Sequence, residues 1–181
     1  MLDLIIKNGA CYIDKDLKNH DIAIKDSKII ETSINGTDNI VANMSKGSKI
    51  IFPSSHVIFE GLEETKRDIS ENEIPKTFLA YSSSKVKNEK QIIKSGLNYV
   101  ILRLGSVYGY SSTDTMRINI MPNLFSKIAS QSGTINLFSG GKQVKSLVPL
   151  IDVARCMKFM GENDKINKEI FNLVKEVVTV K

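Results

Sequence analysis

Residues 78–104 read FLAYSSSKVKNEKQIIKSGLNYVILRL, and two kinds of local structure meet in them. Phe78 to Ser95 predicts a helix that Gly96 closes, and NYVILRL after it is an apolar run of strand length that reads as a buried strand. Upstream, KIIFP (49–53) is a second apolar run of the same kind. A strand, a helix and a strand in that order argue for parallel strands joined by a covering helix.

The reading extends outward in both directions. NGTDNIVANMSKG, from Asn35, places Ile40, Val41 and Met44 in a helical rhythm with Gly47 as a stop. The stretch HVIFEGLEETKRDISENEIPKTF is polar, contains Pro75 and predicts a long loop at the end of the KIIFP strand, a position where sites often lie. Further helices are predicted at MPNLFSKIASQ and at DVARCMKFMGE, with Asp152 as the N-cap of the second. Between them INLFSGGKQVKSLVPLI predicts two short strands around a Gly140-Gly141 turn, and FNLV a last strand. Alternation of helix and strand from residue 35 onward predicts an α/β fold with a largely parallel sheet and flanking helices.

Residues 2–31 differ. The short β-type runs LIIK, ACYI, DIAIK and KIIE are separated by turn signals at Asn8-Gly9, Asp14 to Asp16 and Asp26-Ser27, which predicts a small antiparallel meander. The chain thus divides into a β-rich segment, 1–34, and an α/β unit, 35–181.

Composition narrows the function classes. The chain has 181 residues, 41% of them hydrophobic, enough for a core. Its net charge of +5 is spread without a basic arm, which argues for solubility and against a nucleic-acid partner. Cys11 and Cys156 form no C-x-x-C, and are expected to be reduced thiols in a cytoplasmic protein. The opening LDLII is too short for a membrane span or a secretory leader core. His20 and His56 lack metal-ligand spacing, so no metal site is expected, and His56 reads as a loop or partly packed histidine rather than a general base.

The chemistry-bearing residues fall in an order that a site could use. Ser54 and Ser55 end the KIIFPSS strand, Tyr81 and Lys85 sit four apart on the next helix, and RLGSVYG ends the strand after it. Positions i and i+4 share a helix face. In an open α/β sheet ligands bind at the carboxyl ends of the strands, where these segments converge. A free tyrosine has a pKa near 10 and becomes a useful proton acceptor only when a neighbour such as an ammonium stabilises its phenolate. A serine, a tyrosine and a lysine together suit removal of a proton from an alcohol as hydride leaves its carbon.

NGTDNIV, KIIFPSSHVIFEG, YSSSK, VILRLGSVYG and SLVPLIDVAR, in this order and at these separations, resemble the extended short-chain dehydrogenase/reductase family, the NAD-dependent sugar-nucleotide epimerases and dehydratases. The resemblance covers residues 35–181 and implies part of a Rossmann-like sheet. It implies a catalytic set of Ser55, Tyr81 and Lys85, with the tyrosine as acid/base and the lysine lowering its pKa and holding the nicotinamide ribose. It further implies contacts of Ser54, Tyr81, Lys85, Leu104, Gly105 and Ser106 with NAD or NADP, and of Ser106 and Lys145 with a nucleotide-sugar substrate. Ser106 stands where many relatives have asparagine, Lys145 where arginine is frequent, and FPSSHVIFEG has one residue more before its glycine than the commonest version.

Family members open with a G-x-x-G-x-x-G turn for the cofactor pyrophosphate; here Gly9, Gly36 and Gly47 are isolated. LIIKNGACYIDKD and DIAIKDSKIIE instead resemble the start of dihydroorotase-type amidohydrolases, without the metal-binding H-x-H that should follow. The two resemblances together imply a chimeric or internally deleted reading frame, truncated also at its end, whose sheet carries an exposed apolar edge. The resulting expectation is an epimerase/dehydratase of the sugar-nucleotide oxidoreductase type, working as a homodimer or with a complementing chain. The alternatives are an inactive remnant or interaction module, and an amidohydrolase fragment.

Overall fold

The computed structural model describes the backbone of residues 4–13, 16–24, 28–110, 117–131 and 133–181, and side chains within these ranges from Ile34 onward except that of Ser139. Of the turns expected at Asp14 to Asp16 and at Asp26-Ser27, residues 14, 15, 26 and 27 lie outside the described residues, as do the side chains of Cys11 and His20. No helix among the described residues is long and apolar enough to cross a membrane.

Strands β1 (Leu4–Ile13) and β2 (Asp16–Ile24) form an antiparallel two-stranded sheet. Asn8-Gly9 does not turn the chain. β1 runs through it, and the register against β2 shifts between Ile6 and Gly9, so the glycine is absorbed as a strand irregularity. KIIE is not a strand either: it opens helix α1 (Lys28–Asn43), which continues without a break across residues 34 and 35. A four-residue apolar run is ambiguous by itself, and continuity with the helical rhythm of Ile34 to Val41 resolves it.

The central sheet is built from β3 (Lys49–Ser55), β4 (Asn98–Leu104) and β7 (Glu169–Leu173), in the order β3-β4-β7 and all parallel. Helix α2 (Ala80–Lys94) joins β3 to β4, and α4 (Leu150–Glu162) precedes β7. β4 lies in the middle with five consecutive buried residues, Tyr99 to Arg103. Its side chains alternate between two cores. Tyr99 and Ile101 pack with Ile92 of α2 and Val41 of α1 on one face, while Val100 and Leu102 pack with Met160, Met157 and Cys156 of α4 on the other.

A second sheet, β5-β6-β8, follows from β5 (Ser106–Tyr108), β6 (Val144–Pro149) and β8 (Glu176–Thr179). β5 is parallel to β6 and β8 is antiparallel to it. INLF is consequently not a strand. Both edges of β6 are already taken, and the chain around Phe138–Gly141 forms a 3-10 turn in which Gly140 and Gly141 adopt φ of 63° and 74°. Helix α3 (Met121–Gln131) lies between β5 and β6 in the sequence. Asp152 is not an N-cap. Pro149 occupies that position, and Asp152 sits in the first turn of α4, 3.5 Å from Arg155.

Candidate functional site

The carboxyl ends of β3 and β4 open into a cavity of about 1140 Å³. Its wall includes Ser54, Ser55, Tyr81, Lys85, Leu104, Gly105, Ser106 and Lys145, so every site residue expected from the sequence reaches the same space. Each arrives by a local rule. β3 ends at Ser55, which turns into a 3-10 segment (His56–Phe59) with its hydroxyl accepting from the Val57 amide at 3.4 Å. Tyr81 and Lys85 stand one turn apart on α2. Gly105 carries the chain from β4 to β5. It is buried, and a Cβ there would lie 3.0 Å from the Ser146 carbonyl oxygen of β6, so the backbones can approach only because the side chain is absent.

Lys85 donates to the Pro53 carbonyl at 2.9 Å, with its ammonium 4.7 Å from the centre of the Phe52 ring and 5.7 Å from that of Tyr81. Burial pushes the Lys85 ammonium below the ordinary lysine value, and the charge of Glu89 partly offsets this. Tyr81 is 52% exposed. The pair therefore pairs an accessible phenol with a partly desolvated cation on one helix face.

Ser54 has a different place from the one its neighbour suggests. It is buried, and its hydroxyl donates to Glu89. That hydroxyl joins a charged cluster behind β3, while the residue also lines the cavity. In the cluster Arg103 of β4 grips Glu89 of α2 with two bonds, at 2.9 and 3.3 Å, and donates to the Glu71 carbonyl at 2.8 Å. Glu71 in turn accepts from the Asn172 amide of β7 at 2.8 Å. The cluster ties the floor of the cavity to the long loop after β3.

Glu60 does a related job at the start of α2. Leu79, the N-cap of α2, offers no side-chain acceptor, and the Glu60 carboxylate supplies one from outside the helix, accepting from the Phe78 amide at 3.0 Å, the Leu79 amide at 2.7 Å and the Ser82 hydroxyl. Desolvation pushes the Glu60 carboxyl up, but these hydrogen bonds from Ser82, Leu79 and Phe78 outweigh it and leave the group below the ordinary carboxylate value. Glu60 stands immediately before the glycine of FPSSHVIFEG. The readable signal was an α2 start without Ser, Thr, Asp or Asn to cap it. The signal for the Arg103-Glu89 pair was an arginine inside an otherwise apolar strand.

Arg117 and His56 also line the cavity, and sequence reasoning assigned neither to it. Lys85, Arg117 and Lys145 make the wall cationic, and among the described residues no aspartate or glutamate lines it. Such a donor set fits a ligand bearing phosphates, and the hydroxyls of Tyr81, Ser55 and Ser106 at its sheet end fit an alcohol or carbonyl. The residues present are thus compatible with the nicotinamide end of a dinucleotide and with a nucleotide sugar.

Comparison with known proteins agrees with the motifs. The model of the NAD dependent epimerase/dehydratase family matches residues 18–173, beginning within β2 and upstream of the motif resemblance. Among curated proteins, the UDP-N-acetyl-alpha-D-glucosaminuronate decarboxylase of Bacillus cytotoxicus is 26% identical over 159 residues, covering 84% of this chain and 49% of that protein. Among solved structures, the UDP-glucose 4-epimerase of Thermotoga maritima with UDP-glucose superposes with a TM-score of 0.72 at 23% identity, over 85% of this chain and 51% of that one. The UDP-glucuronic acid 4-epimerase of Bacillus cereus, in complex with UDP-glucuronic acid and NAD, gives 0.69 at 21% identity, over 83% and 47%. These two structures share the fold, and the chain spans about half the length of the relatives it matches. With most of its length matched by the family model, and with the parallel sheet and ordered motifs that the family possesses, the chain belongs to the NAD-dependent epimerase/dehydratase family.

Proposed function

We propose that this chain carries the acid/base and substrate-facing side of an NAD(P)-dependent reaction on a nucleotide sugar, of the epimerase or dehydratase type. The observation that carries the reading is the convergence of Ser55, Tyr81, Lys85 and Lys145 on one cation-lined cavity at the carboxyl ends of β3 and β4. Tyr81 takes the hydroxyl proton of a sugar carbinol and returns it later. Ser55 hydrogen-bonds the same oxygen, and Lys85 favours the phenolate and faces the cofactor ribose. When bound, the nicotinamide supplies the acceptor for the carbinol hydride. Leu104, Gly105 and Ser106 form the wall along which the cofactor end lies, and Lys145, with Ser106, meets the substrate phosphates.

β3 pairs only with β4 among the described strands. Its other edge is available to a further strand, which supports a complementing chain or a second copy as the partner that completes the site.

Calorimetric titration with NAD, NADP and UDP-glucose tests the reading, with Tyr81→Phe and Lys85→Ala alongside. Saturable binding of cofactor that is lost in Lys85→Ala is the expected result. A folded chain that binds none of the three, alone or mixed with a complementing chain, would mean that the site is a relic.

A further inference from the structure

Glu60 closes the 3-10 segment His56–Phe59 that Ser55 opens. Its own amide donates to the Val57 carbonyl at 3.1 Å, and Ile58 inside the segment is fully buried, so Ser55 and Glu60 stand at the two ends of one short, anchored piece of chain. The next residue is pinned as well. The Gly61 amide donates to the Lys76 carbonyl at 2.8 Å, in an approach that a Cβ on Gly61 would block.

From that place one carboxylate oxygen of Glu60, Oε1, takes three donors: the amides of Phe78 and Leu79 and the hydroxyl of Ser82. The donors bracket Tyr81, two standing before it in the chain and one after it. Tyr81 lies in the first turn of α2, whose N-cap has no side-chain acceptor of its own, and its ring is more than half exposed. Packing therefore does little to hold the ring, and the place of the phenol follows from the backbone turn that Glu60 grips. Segment and turn meet the same cavity, through Ser55 and Tyr81, whereas Glu60 is not part of its wall.

We propose that Glu60 is a positioning residue for the reaction: by holding the chain on both sides of Tyr81 from the far end of the segment that Ser55 begins, it sets the phenol in register with the Ser55 hydroxyl. The inference rests on the nucleotide-sugar reading above, in which Ser55 and Tyr81 meet the same sugar oxygen, and adds the residue that fixes their spacing. Two hydroxyls share one oxygen only over a narrow range of separations, because hydrogen bonds weaken steeply as distance and angle depart from the optimum.

Two measurements on the full chain test it. Fluorine NMR of protein labelled with 3-fluorotyrosine gives a resonance for Tyr81, assigned by its absence from Tyr81→Phe. In Glu60→Ala that resonance should shift or split, while that of the buried Tyr99 stays in place. Calorimetry, at a temperature at which each variant is folded, then compares UDP-glucose with UDP, which lacks the glucose. Glu60→Ala is expected to weaken UDP-glucose about three- to tenfold and to leave UDP unchanged. Glu60→Gln keeps an oxygen for the same donors and should recover part of that loss. Ser82→Ala removes one donor and leaves the two amides; it should give a smaller loss of the same kind, and covers the case in which Glu60→Ala fails to fold. A cap that only stabilised the helix would lower the melting temperature and move neither reading. An unmoved Tyr81 resonance, or an unaltered ratio of the two affinities in the folded variants, therefore overturns this inference alone. If the native chain binds neither UDP nor UDP-glucose, the nucleotide-sugar reading itself fails and the inference falls with it.

Discussion

The Arg103-Glu89 pair gives the sharpest prediction. Both side chains are almost fully buried, at 5% and 4% exposure. They share two bonds, Glu89 also accepts from Ser54, and Arg103 stacks over the Phe59 ring at 5.4 Å. Removing one partner of such a pair leaves the other charge buried without compensation, an effect of about 3–5 kcal/mol. Glu89→Leu should therefore lose about that much, a fifth or more of the roughly 5–15 kcal/mol that holds a domain folded. For a chain of this size the melting temperature should fall by about 6–20 °C. The double variant Glu89→Leu/Arg103→Met removes both charges. It should recover most of the loss, short of about 1 kcal/mol for the vacated bond to the Glu71 carbonyl. Urea unfolding of the native chain, both single variants and the double variant yields the coupling energy directly. Additive single-variant effects, or a Glu89→Leu loss under about 1 kcal/mol, would refute the claim that the pair is desolvated and mutually dependent.

Three further outcomes are predicted. Glu60→Gln weakens the cap of α2 by about 0.5–2 kcal/mol, seen as faster amide exchange at Leu79 and Phe78. Because folding lowers the Glu60 carboxyl below its reference value of 4.5, the unfolded chain binds the proton more tightly. The stabilisation is thus fully present above that value and is lost as pH falls through the folded value, and the stability gap between native and Glu60→Gln should close over that acidic range. Tyr81→Phe should melt within about 0.5 kcal/mol of the native chain, since the ring is more than half exposed, while losing any turnover the chain supports. Gly61→Ala places a Cβ 2.9 Å from the Lys76 backbone, where the Gly61 amide donates to the Lys76 carbonyl at 2.8 Å; urea unfolding should show a loss of about 1–3 kcal/mol.

The parallel sheet, α2 and the candidate pair Tyr81 and Lys85 were legible in the sequence because each depends on a short-range pattern. Apolar runs of strand length and an i, i+4 spacing on one helix carry their meaning within a few residues. KIIE and INLF were misread for the converse reason. Whether a four-residue apolar run becomes a strand depends on what lies beside it: KIIE is continuous with α1, and INLF faces a β6 whose two edges are filled.

At the site the division follows the same line. By itself the sequence determined that a serine, a tyrosine and a lysine would come together at the ends of parallel strands, since chain order and strand direction place them there. Only the tertiary structure decided that the hydroxyls of Ser54 and Ser55, adjacent in the chain, take different partners, that Glu60 caps a helix beginning twenty residues later, and that His56 meets the Leu104 carbonyl through Nδ1. The partners of Ser54, Glu60 and His56 are distant in sequence, and a partner is selected by where burial leaves a polar group unsatisfied, which no local pattern of residues records.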